Sequence, residues 1–178
     1  MTGGARSGKS RYAEALAAHW GGEEVVYIAT LEPSDDEMTR RIAQHRGRRP
    51  SAWRTVETRF EVAGAILEAK TDTVLLDCLS GLVSNLLLAH EDRGEVAVLR
   101  LISEAVEEVL AAVQTSQKTV IMVTNEVGSG IVPAYALGRW YRDALGTVNA
   151  EVARAAGAVA LMSVGIPQVL KGTLPERG

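Results

Sequence analysis

The sequence has little of several features, and each shortage excludes a class of protein. Its 178 residues contain one cysteine, Cys78, so no disulfide can form within the chain. The longest apolar run, residues 74–89, is broken by four polar residues, and a membrane span needs roughly 20 apolar residues in a row. The formal net charge is -3, and this lack of a basic excess argues against non-specific nucleic-acid binding. The first ten residues lack the apolar stretch of a secretory signal, so we expect a cytoplasmic location.

Short β-branched runs alternate with longer helical patterns, which is typical of βα units around a mostly parallel sheet. The predicted strands are 24–30, 53–57, 73–77, 118–124 and 158–163, and the predicted helices are 9–20, 35–46, 60–69, 82–90, 96–113 and 136–156. Ser34 and Glu37 form a capping box at the start of the second helix. A chain of this length can bury a full core in one unit. We therefore predict an α/β fold with a single domain over residues 1–171 and a frayed tail over 172–178.

The strongest motif is GGARSGKS, which satisfies the P-loop pattern G-x-x-x-x-G-K-[ST] and opens the first predicted helix. The backbone amides of such a loop form an anion-binding concavity, and the helix N-terminus adds positive charge. Its lysine reaches the β- and γ-phosphate oxygens, and its serine can ligate Mg²⁺. The predicted nucleotide-binding residues of the loop are Gly3, Gly4, Ala5, Arg6, Ser7, Gly8, Lys9 and Ser10.

A P-loop normally follows a buried strand, but only Met1 and Thr2 precede Gly3. We therefore expect the first strand to be absent from this sequence. The natural protein should then carry a few more apolar residues upstream, and an intact native mass equal to that of the 178 residues would contradict this.

Asp77 ends an apolar strand, a position from which a carboxylate can hold Mg²⁺ beside a P-loop. Taken alone, the pattern fits equally well a strand that meets its turn. Beside the P-loop, it predicts a metal site formed by Ser10 and Asp77.

Arg41, His45 and Arg48 are spaced four and three residues apart, which places them on one helical face. A neutral imidazole can attack phosphorus, and the neighbouring cations would keep it neutral while they bind a triphosphate. A solvated basic face with an incidental histidine is the simpler interpretation of the spacing, and both remain open at this point.

Five motifs together resemble one known family. They are GGARSGKS, YIAT followed by DDEM, RIAQHRGRRP with WRTVE, LLDCLSGLVSNLL, and TNEVGSGIVP with GRWYRDALGTVNAEVA. In order and spacing they are similar to the bifunctional adenosylcobinamide kinase / adenosylcobinamide-phosphate guanylyltransferase family of cobalamin biosynthesis. The resemblance covers nearly the whole chain, and it implies a RecA-like P-loop domain with helices on both faces of the sheet.

The resemblance implies two reactions. ATP or GTP would phosphorylate the aminopropanol hydroxyl of adenosylcobinamide. GTP would then guanylylate an enzyme histidine, and the corrinoid phosphate would attack that intermediate to give adenosylcobinamide-GDP. The histidine of the family's H-R-x-R-R pattern matches His45. The predicted catalytic residues are therefore His45 and, from the P-loop, Lys9. The expected cofactor is Mg²⁺, with no organic cofactor. The resemblance further implies that GTP, ATP and a corrinoid are the substrates and that the protein is a homotrimer.

By the same resemblance, the nucleotide site extends beyond the P-loop. The added residues are Ala29, Thr30, Leu31, Glu57 and Asp77, and the charge of Arg46, Arg48 and Arg49 makes these three candidates as well. The arginines are suited to clamp phosphates or guanosine. Glu57 is suited to accept a hydrogen bond from a guanine edge or a ribose, although a glutamate facing solvent at a strand end is equally plausible.

The segment 125–133 follows a buried strand, where open α/β sheets bind ligands. Asn125 and Glu126 are therefore candidates to reach the nucleotide or the corrinoid, and a plain turn before a helix is the alternative. Four residues of the next helix match the family pattern without an assignable role: Arg139, Arg142, Asp143 and Asn149.

Two other functions remain open. One is an ordinary small-molecule kinase in which His45 only contacts phosphate. The other is a nucleotide-binding regulatory module whose loop 125–134 switches partner contacts without turnover. If the bifunctional hypothesis holds, one P-loop in 178 residues leaves no room for two catalytic domains, so both reactions would use one nucleotide site in turn.

Overall fold

The computed structural model describes residues 1–31, 46–47 and 49–175, and elements are numbered within these ranges. The helices are α1 Lys9–Gly21, α2 Val62–Glu68, α3 Leu79–Ala89, α4 Glu95–Ser116 and α5 Ala136–Ala155, with a 3₁₀ turn at Glu91–Arg93. The strands are β1 Thr2–Gly3, β2 Val25–Ala29, β3 Arg54–Glu57, β4 Thr73–Asp77, β5 Thr119–Val123, β6 Val159–Ser163 and β7 Ile166–Lys171. The predicted helix 35–46 lies outside the described residues except for Arg46, as do the capping-box residues Ser34 and Glu37.

The strands follow the order β3-β2-β4-β5-β1-β6-β7. Regular pairing gives two groups, β3-β2-β4-β5 and β1-β6-β7. Backbone bonds join them, because the Met1 nitrogen donates to the Met122 carbonyl at 2.8 Å and the Thr124 nitrogen donates to the Met1 carbonyl at 2.9 Å. The paired strands are parallel except β7, which runs antiparallel to β6. The predicted α/β class with a mostly parallel sheet is confirmed.

The expectation that the first strand is absent is wrong. Thr2 pairs with Leu161 and Gly3 pairs with Met162, so β1 is present with two residues. Since β5 and β6 supply hydrogen-bond partners on both sides, such a short segment is held in the sheet. Hydrophobic patterning needs about four residues to identify a strand, and two residues fall below that length.

The central strands bury both faces, which explains their continuous apolar sequences. From β2, Val26 and Ile28 pack in a core with helices α2 to α5, while Val25 and Tyr27 pack in a second core with α1. Helices therefore cover both faces of the sheet, as predicted. No helix in the described part of the chain is long and apolar enough to cross a membrane.

The β6–β7 hairpin is not predicted from the sequence, and it supports the P-loop. Ser163 pairs with Ile166, which leaves a two-residue loop of Val164 and Gly165 with φ of 46° and 83°. Two positive φ values in a two-residue loop are the geometry of a type I′ turn. The Gly165 nitrogen donates to the Ser7 carbonyl at 3.1 Å, so the turn holds the P-loop from outside.

Candidate active site

The P-loop backbone requires glycine at two positions. Gly8, at the N-cap of α1, has φ of 91°, in the left-handed region that favours glycine. Gly3 lies against β6, where an added Cβ would be 2.6 Å from the Met162 carbonyl oxygen. Gly8 thus serves the shape of the loop, and Gly3 serves its fit against the sheet.

Two P-loop side chains are buried within the loop. Lys9 is 9% exposed, and its Nζ donates to the Gly4 carbonyl at 3.2 Å. The Ser7 hydroxyl is buried and has no hydrogen-bond partner among the described residues. The first turn of α1 contains no acidic residue to neutralise the positive end of the helix dipole. An anion bound in the loop would meet this positive potential and would give the Ser7 hydroxyl the acceptor that it lacks.

A pocket of about 300 Å³ opens between the P-loop and the carboxyl ends of β2 and β4. The predicted site residues that line it are Lys9, Ser10, Ala29, Leu31, Arg46, Arg49, Glu57 and Asp77. The other lining residues are Tyr27, Cys78, Ser80, Gly81, Ser84, Asn125 and Tyr141. Residues 3–8 form the loop beside this pocket. The predicted nucleophile His45 and the predicted clamp residue Arg48 lie outside the described residues.

Asp77 is held by a tyrosine that the sequence analysis does not identify. The Tyr27 hydroxyl donates to Asp77 Oδ2 at 2.7 Å, and Tyr27 is 2% exposed. Burial raises the pKa of Tyr27 well above its usual range, the charge of Asp77 raises it further, and Arg49 opposes the shift in part. The hydroxyl therefore keeps its proton and donates a hydrogen bond to the carboxylate throughout the neutral range.

The register of the sheet explains how these two residues meet. Tyr27 pairs with Leu75 of β4, and Asp77 follows two residues later on the same face. Tyr27 is also the one side chain with a polar group in the apolar sequence VVYIA of β2. A buried tyrosine hydroxyl usually has a hydrogen-bond partner. A tyrosine in this apolar strand therefore indicates, from the sequence alone, a buried hydrogen bond to a polar residue nearby.

The two described arginines of the pocket differ in their anchoring. The Arg49 guanidinium carbon lies 3.3 Å from the centroid of the Tyr27 ring, and Arg49 Nη1 donates to Thr55 Oγ1 at 3.4 Å. Arg46 Nη1 lies 3.6 Å from Glu57 Oε1, and these two side chains are 66% and 63% exposed. Arg49 is thus fixed on the pocket wall, while Arg46 and Glu57 form a solvent-exposed ion pair.

Thr30 does not line the pocket, and its hydrogen bonds are structural. Its hydroxyl donates to the Cys78 carbonyl at 2.6 Å and accepts from the Cys78 nitrogen at 3.0 Å. The Asn85 side-chain nitrogen donates to the Thr30 carbonyl at 2.8 Å. Thr30 therefore joins the ends of β2 and β4 to α3, while its neighbours Ala29 and Leu31 line the pocket.

Asn149 positions the segment after β5. Its Oδ1 accepts from Thr124 Oγ1 at 2.7 Å, and its Nδ2 donates to the Asn125 carbonyl at 2.9 Å. Asn125 lines the pocket, so the structure gives Asn149, which had no assignable role in the sequence, the role of a loop anchor.

The other candidates in this region make local contacts. Arg139 Nη1 donates to the Pro133 and Ala134 carbonyls at 3.1 and 2.8 Å. Glu126 Oε1 accepts from the Gly128 nitrogen at 2.6 Å. Arg142 and Asp143 pair with each other at 3.2 Å. The contacts of Arg139 and Glu126 hold the loop and the start of α5, whereas the Arg142–Asp143 pair lies within the helix itself.

Three further lining residues, Cys78, Ser80 and Tyr141, carry polar groups that are neutral. The Ser80 hydroxyl donates to Cys78 Sγ at 3.1 Å, and the Tyr141 hydroxyl donates to the Ser80 carbonyl at 3.4 Å. Burial raises the pKa of the Cys78 thiol, and the Asp77 charge adds to that effect. Burial also raises the pKa of Tyr141 to about 12. The Cys78 thiol and the Tyr141 hydroxyl are therefore uncharged at neutral pH.

The predicted metal ligands Ser10 and Asp77 line the same pocket. They offer a hydroxyl and a carboxylate oxygen. Mg²⁺ prefers oxygen ligands and usually takes one or two from the protein, with the remainder from water and substrate phosphates. The donor set fits Mg²⁺ bound together with a nucleotide.

The loop that starts α1 and the carboxylate at the end of a parallel strand two places along the sheet define a P-loop nucleotide-binding protein of the α/β class. Over residues 1–170 the chain matches the family described as cobinamide kinase / cobinamide phosphate guanyltransferase, and it belongs to that family. This confirms the family resemblance and the prediction of a bifunctional kinase and guanylyltransferase.

Two relatives that are similar in sequence support the same family. The chain is 43% identical over 180 residues to the bifunctional adenosylcobalamin biosynthesis protein CobU of Escherichia coli (strain K12), covering 96% of this chain and 98% of the relative. It is 42% identical over 174 residues to the bifunctional adenosylcobalamin biosynthesis protein CobP of Pseudomonas aeruginosa (strain PAO1), covering 97% and 96%. Among solved structures, the flagellar accessory protein FlaH of Methanocaldococcus jannaschii matches with a TM-score of 0.44 at 13% identity, covering 96% of this chain and 76% of FlaH.

Proposed function

We propose that this chain phosphorylates adenosylcobinamide with ATP or GTP and then transfers GMP from GTP to adenosylcobinamide phosphate through a guanylyl-histidine at His45. The family and the names of the relatives support the pair of activities. The observation that carries the proposal is one pocket in which the end of the P-loop, a strand-end carboxylate and two arginines come together. Residues 1–171 would act as one domain.

In the kinase step, the substrate hydroxyl oxygen attacks the γ-phosphorus, the bond from that phosphorus to the β–γ bridging oxygen breaks, and the hydroxyl proton leaves to solvent. The protein's task is to position the groups and to stabilise negative charge. Lys9 and the amides of the P-loop do this for the β- and γ-phosphates. Because Lys9 is largely buried, its charge acts in a medium that screens it less than bulk water.

In the transferase step, an imidazole nitrogen of His45 attacks the α-phosphorus and pyrophosphate leaves. A phosphate oxygen of the corrinoid then attacks the same phosphorus, and the imidazole leaves. Covalent catalysis of this kind divides one difficult displacement into two easier ones. The assignment of His45 rests on the H-R-x-R-R pattern of the sequence.

Mg²⁺ is the proposed cofactor, with Ser10 and Asp77 as its protein ligands, and when bound it would neutralise phosphate charge. The residues of this chain would hold that ion together with the nucleotide. The same residues would serve both reactions, since both use a nucleoside triphosphate.

A cytoplasmic homotrimer is the proposed assembly. Apolar side chains exposed on the β6–β7 hairpin support association, and they include Val164 at 88% exposure, Ile166, Val169 and Leu170. Strand β7 lies at the edge of the sheet, where unpaired backbone groups favour contacts with other chains. Sedimentation equilibrium should give three chains per particle, and a monomer at working concentration would contradict this.

The function is tested with GTP labelled at the α-phosphate. The wild-type chain should become labelled through a bond that is stable to base and labile to acid, because a phosphoramidate hydrolyses when its nitrogen is protonated. His45→Ala should remove the label. His19→Ala, which changes an exposed histidine of α1, is the matched control and should be labelled like the wild type.

The other functions give different results in the same assays. Kinase activity without any covalent label would favour an ordinary small-molecule kinase. Steady release of pyrophosphate with GTP and phosphorylated cobinamide would exclude a regulatory module that does not turn over.

A further inference from the structure

Tyr27 makes two contacts in the pocket, one through its hydroxyl and one through the face of its ring. Its hydroxyl donates to Asp77 Oδ2 at 2.7 Å, and the face of its ring lies 3.3 Å from the Arg49 guanidinium carbon. Tyr27 therefore lies between the carboxylate proposed as a metal ligand and a cation proposed to bind the nucleotide.

The hydroxyl restricts the carboxylate. A carboxylate at a strand end can rotate between several orientations, and a short hydrogen bond to a charged acceptor favours one of them. The donor is rigid, because the Tyr27 ring is packed in the second core, next to α1, together with Tyr12, Leu16 and Leu75. The bond occupies one carboxylate oxygen and so leaves the other for a cation.

We propose that Tyr27 is a positioning residue, whose hydroxyl fixes the Asp77 carboxylate for the divalent cation that binds with the nucleotide. The inference rests on the proposed function, namely on Mg²⁺ at Ser10 and Asp77. A tyrosine that only filled the core would act through its ring, and phenylalanine would then replace it without a change in cation-dependent binding.

The experiment measures how strongly Mg²⁺ increases nucleotide affinity. The ligand is the α,β-methylene analogue of GTP, which cannot guanylylate the protein, and its Kd is determined by calorimetry with Mg²⁺ and with EDTA. Tyr27→Phe retains the ring and the stacked arginine but removes the hydroxyl. We expect its Kd in EDTA to equal that of the wild type, and its Mg²⁺ enhancement to be about tenfold smaller, since a hydrogen bond to a charged group is lost.

Two further variants identify the route of the effect. In an Asp77→Ala background the Mg²⁺ enhancement should be small, and Tyr27→Phe should reduce it no further, because the hydroxyl acts through that carboxylate. Tyr12→Phe removes another hydroxyl from the same core and should keep the wild-type enhancement.

Equal enhancement in Tyr27→Phe and wild type would overturn the proposal. Equal weakening with Mg²⁺ and with EDTA would also overturn it, because that result indicates general damage to the pocket. A wild-type chain without any Mg²⁺ enhancement would overturn the metal assignment and the proposal with it. The labelling of His45 tests the remainder of the proposed function independently.

Discussion

The two sides of the pocket are built differently. On the phosphate side, Lys9 and Ser7 are buried in a loop that the β6–β7 turn holds through the backbone. On the arginine side, Arg49 is held over the Tyr27 ring, but Arg46 and Glu57 meet as an exposed pair at 3.6 Å. Buried, fixed charge stabilises a transition state more than exposed charge, which water screens and which loses entropy on binding. The comparison indicates that the fixed side supplies what both proposed reactions share, and that the open side adjusts to the nucleotide.

The largest effect is expected at Lys9. Lys9→Ala should lower both kinase and guanylyltransferase kcat/KM by about 10²- to 10³-fold, because a preorganised charge aimed at the phosphates is lost. Steady-state kinetics of both reactions check this, with Lys70→Ala as an exposed-lysine control. Loss of only one activity would show that the reactions do not share the phosphate side.

Replacing either arginine of the pocket should have a smaller effect, on the KM for GTP, and the size of that effect should differ between Arg46 and Arg49. Arg49→Ala should raise the KM for GTP about tenfold, because a guanidinium held on an aromatic ring is preorganised for phosphate. Arg46→Ala should raise it only about two- to threefold, as is usual for an exposed ion. If Arg46→Ala has the larger effect, the contrast between an anchored Arg49 and an exposed Arg46 fails.

Asn149 tests whether the fixed side extends to the β5 loop. Asn149→Ala removes two hydrogen bonds and should lower the free energy of unfolding by about 2 kcal/mol, measured by urea denaturation. Thr147→Ala, on the same helix and exposed, is the control and should change it little. Adding Thr124→Val to Asn149→Ala should cost less than the sum of the single changes, since Thr124 and Asn149 share a bond. Strict additivity would contradict the anchoring role.

The smallest effect is expected at the exposed ion pair. Glu57→Gln should change the free energy of unfolding by no more than about 0.5 kcal/mol, because a pair with both partners in water contributes little. A loss above about 1 kcal/mol would mean that the Arg46–Glu57 pair is as fixed as the phosphate side.

Comparing the binding of GTP with that of ITP, which lacks the 2-amino group, in wild type and in Glu57→Gln checks whether Glu57 accepts a hydrogen bond from the guanine 2-amino group.

The sequence predicts the site residues that belong to motifs of fixed spacing better than it predicts contacts between distant residues. The P-loop could be predicted because its chemistry needs a fixed spacing in the chain, and Asp77 because it ends an apolar strand. Tyr27, Thr30 and Asn149 act through partners more than 20 residues away. Strand pairing sets the first two contacts, and the packing of α5 beside the end of β5 sets the third. Strand β1 could not be predicted because its neighbours, and not its own two residues, hold it in the sheet.

The central claim is that both reactions use this one pocket, and nucleotide stoichiometry tests it most directly. The β,γ-imido analogue of GTP blocks γ-transfer and the α,β-methylene analogue blocks α-transfer. Equilibrium binding to the His45→Ala chain, which cannot form the covalent intermediate, measures each analogue alone and both together. We predict one bound nucleotide per chain in every case, with each analogue displacing the other. Independent binding that sums to two nucleotides per chain would contradict the account.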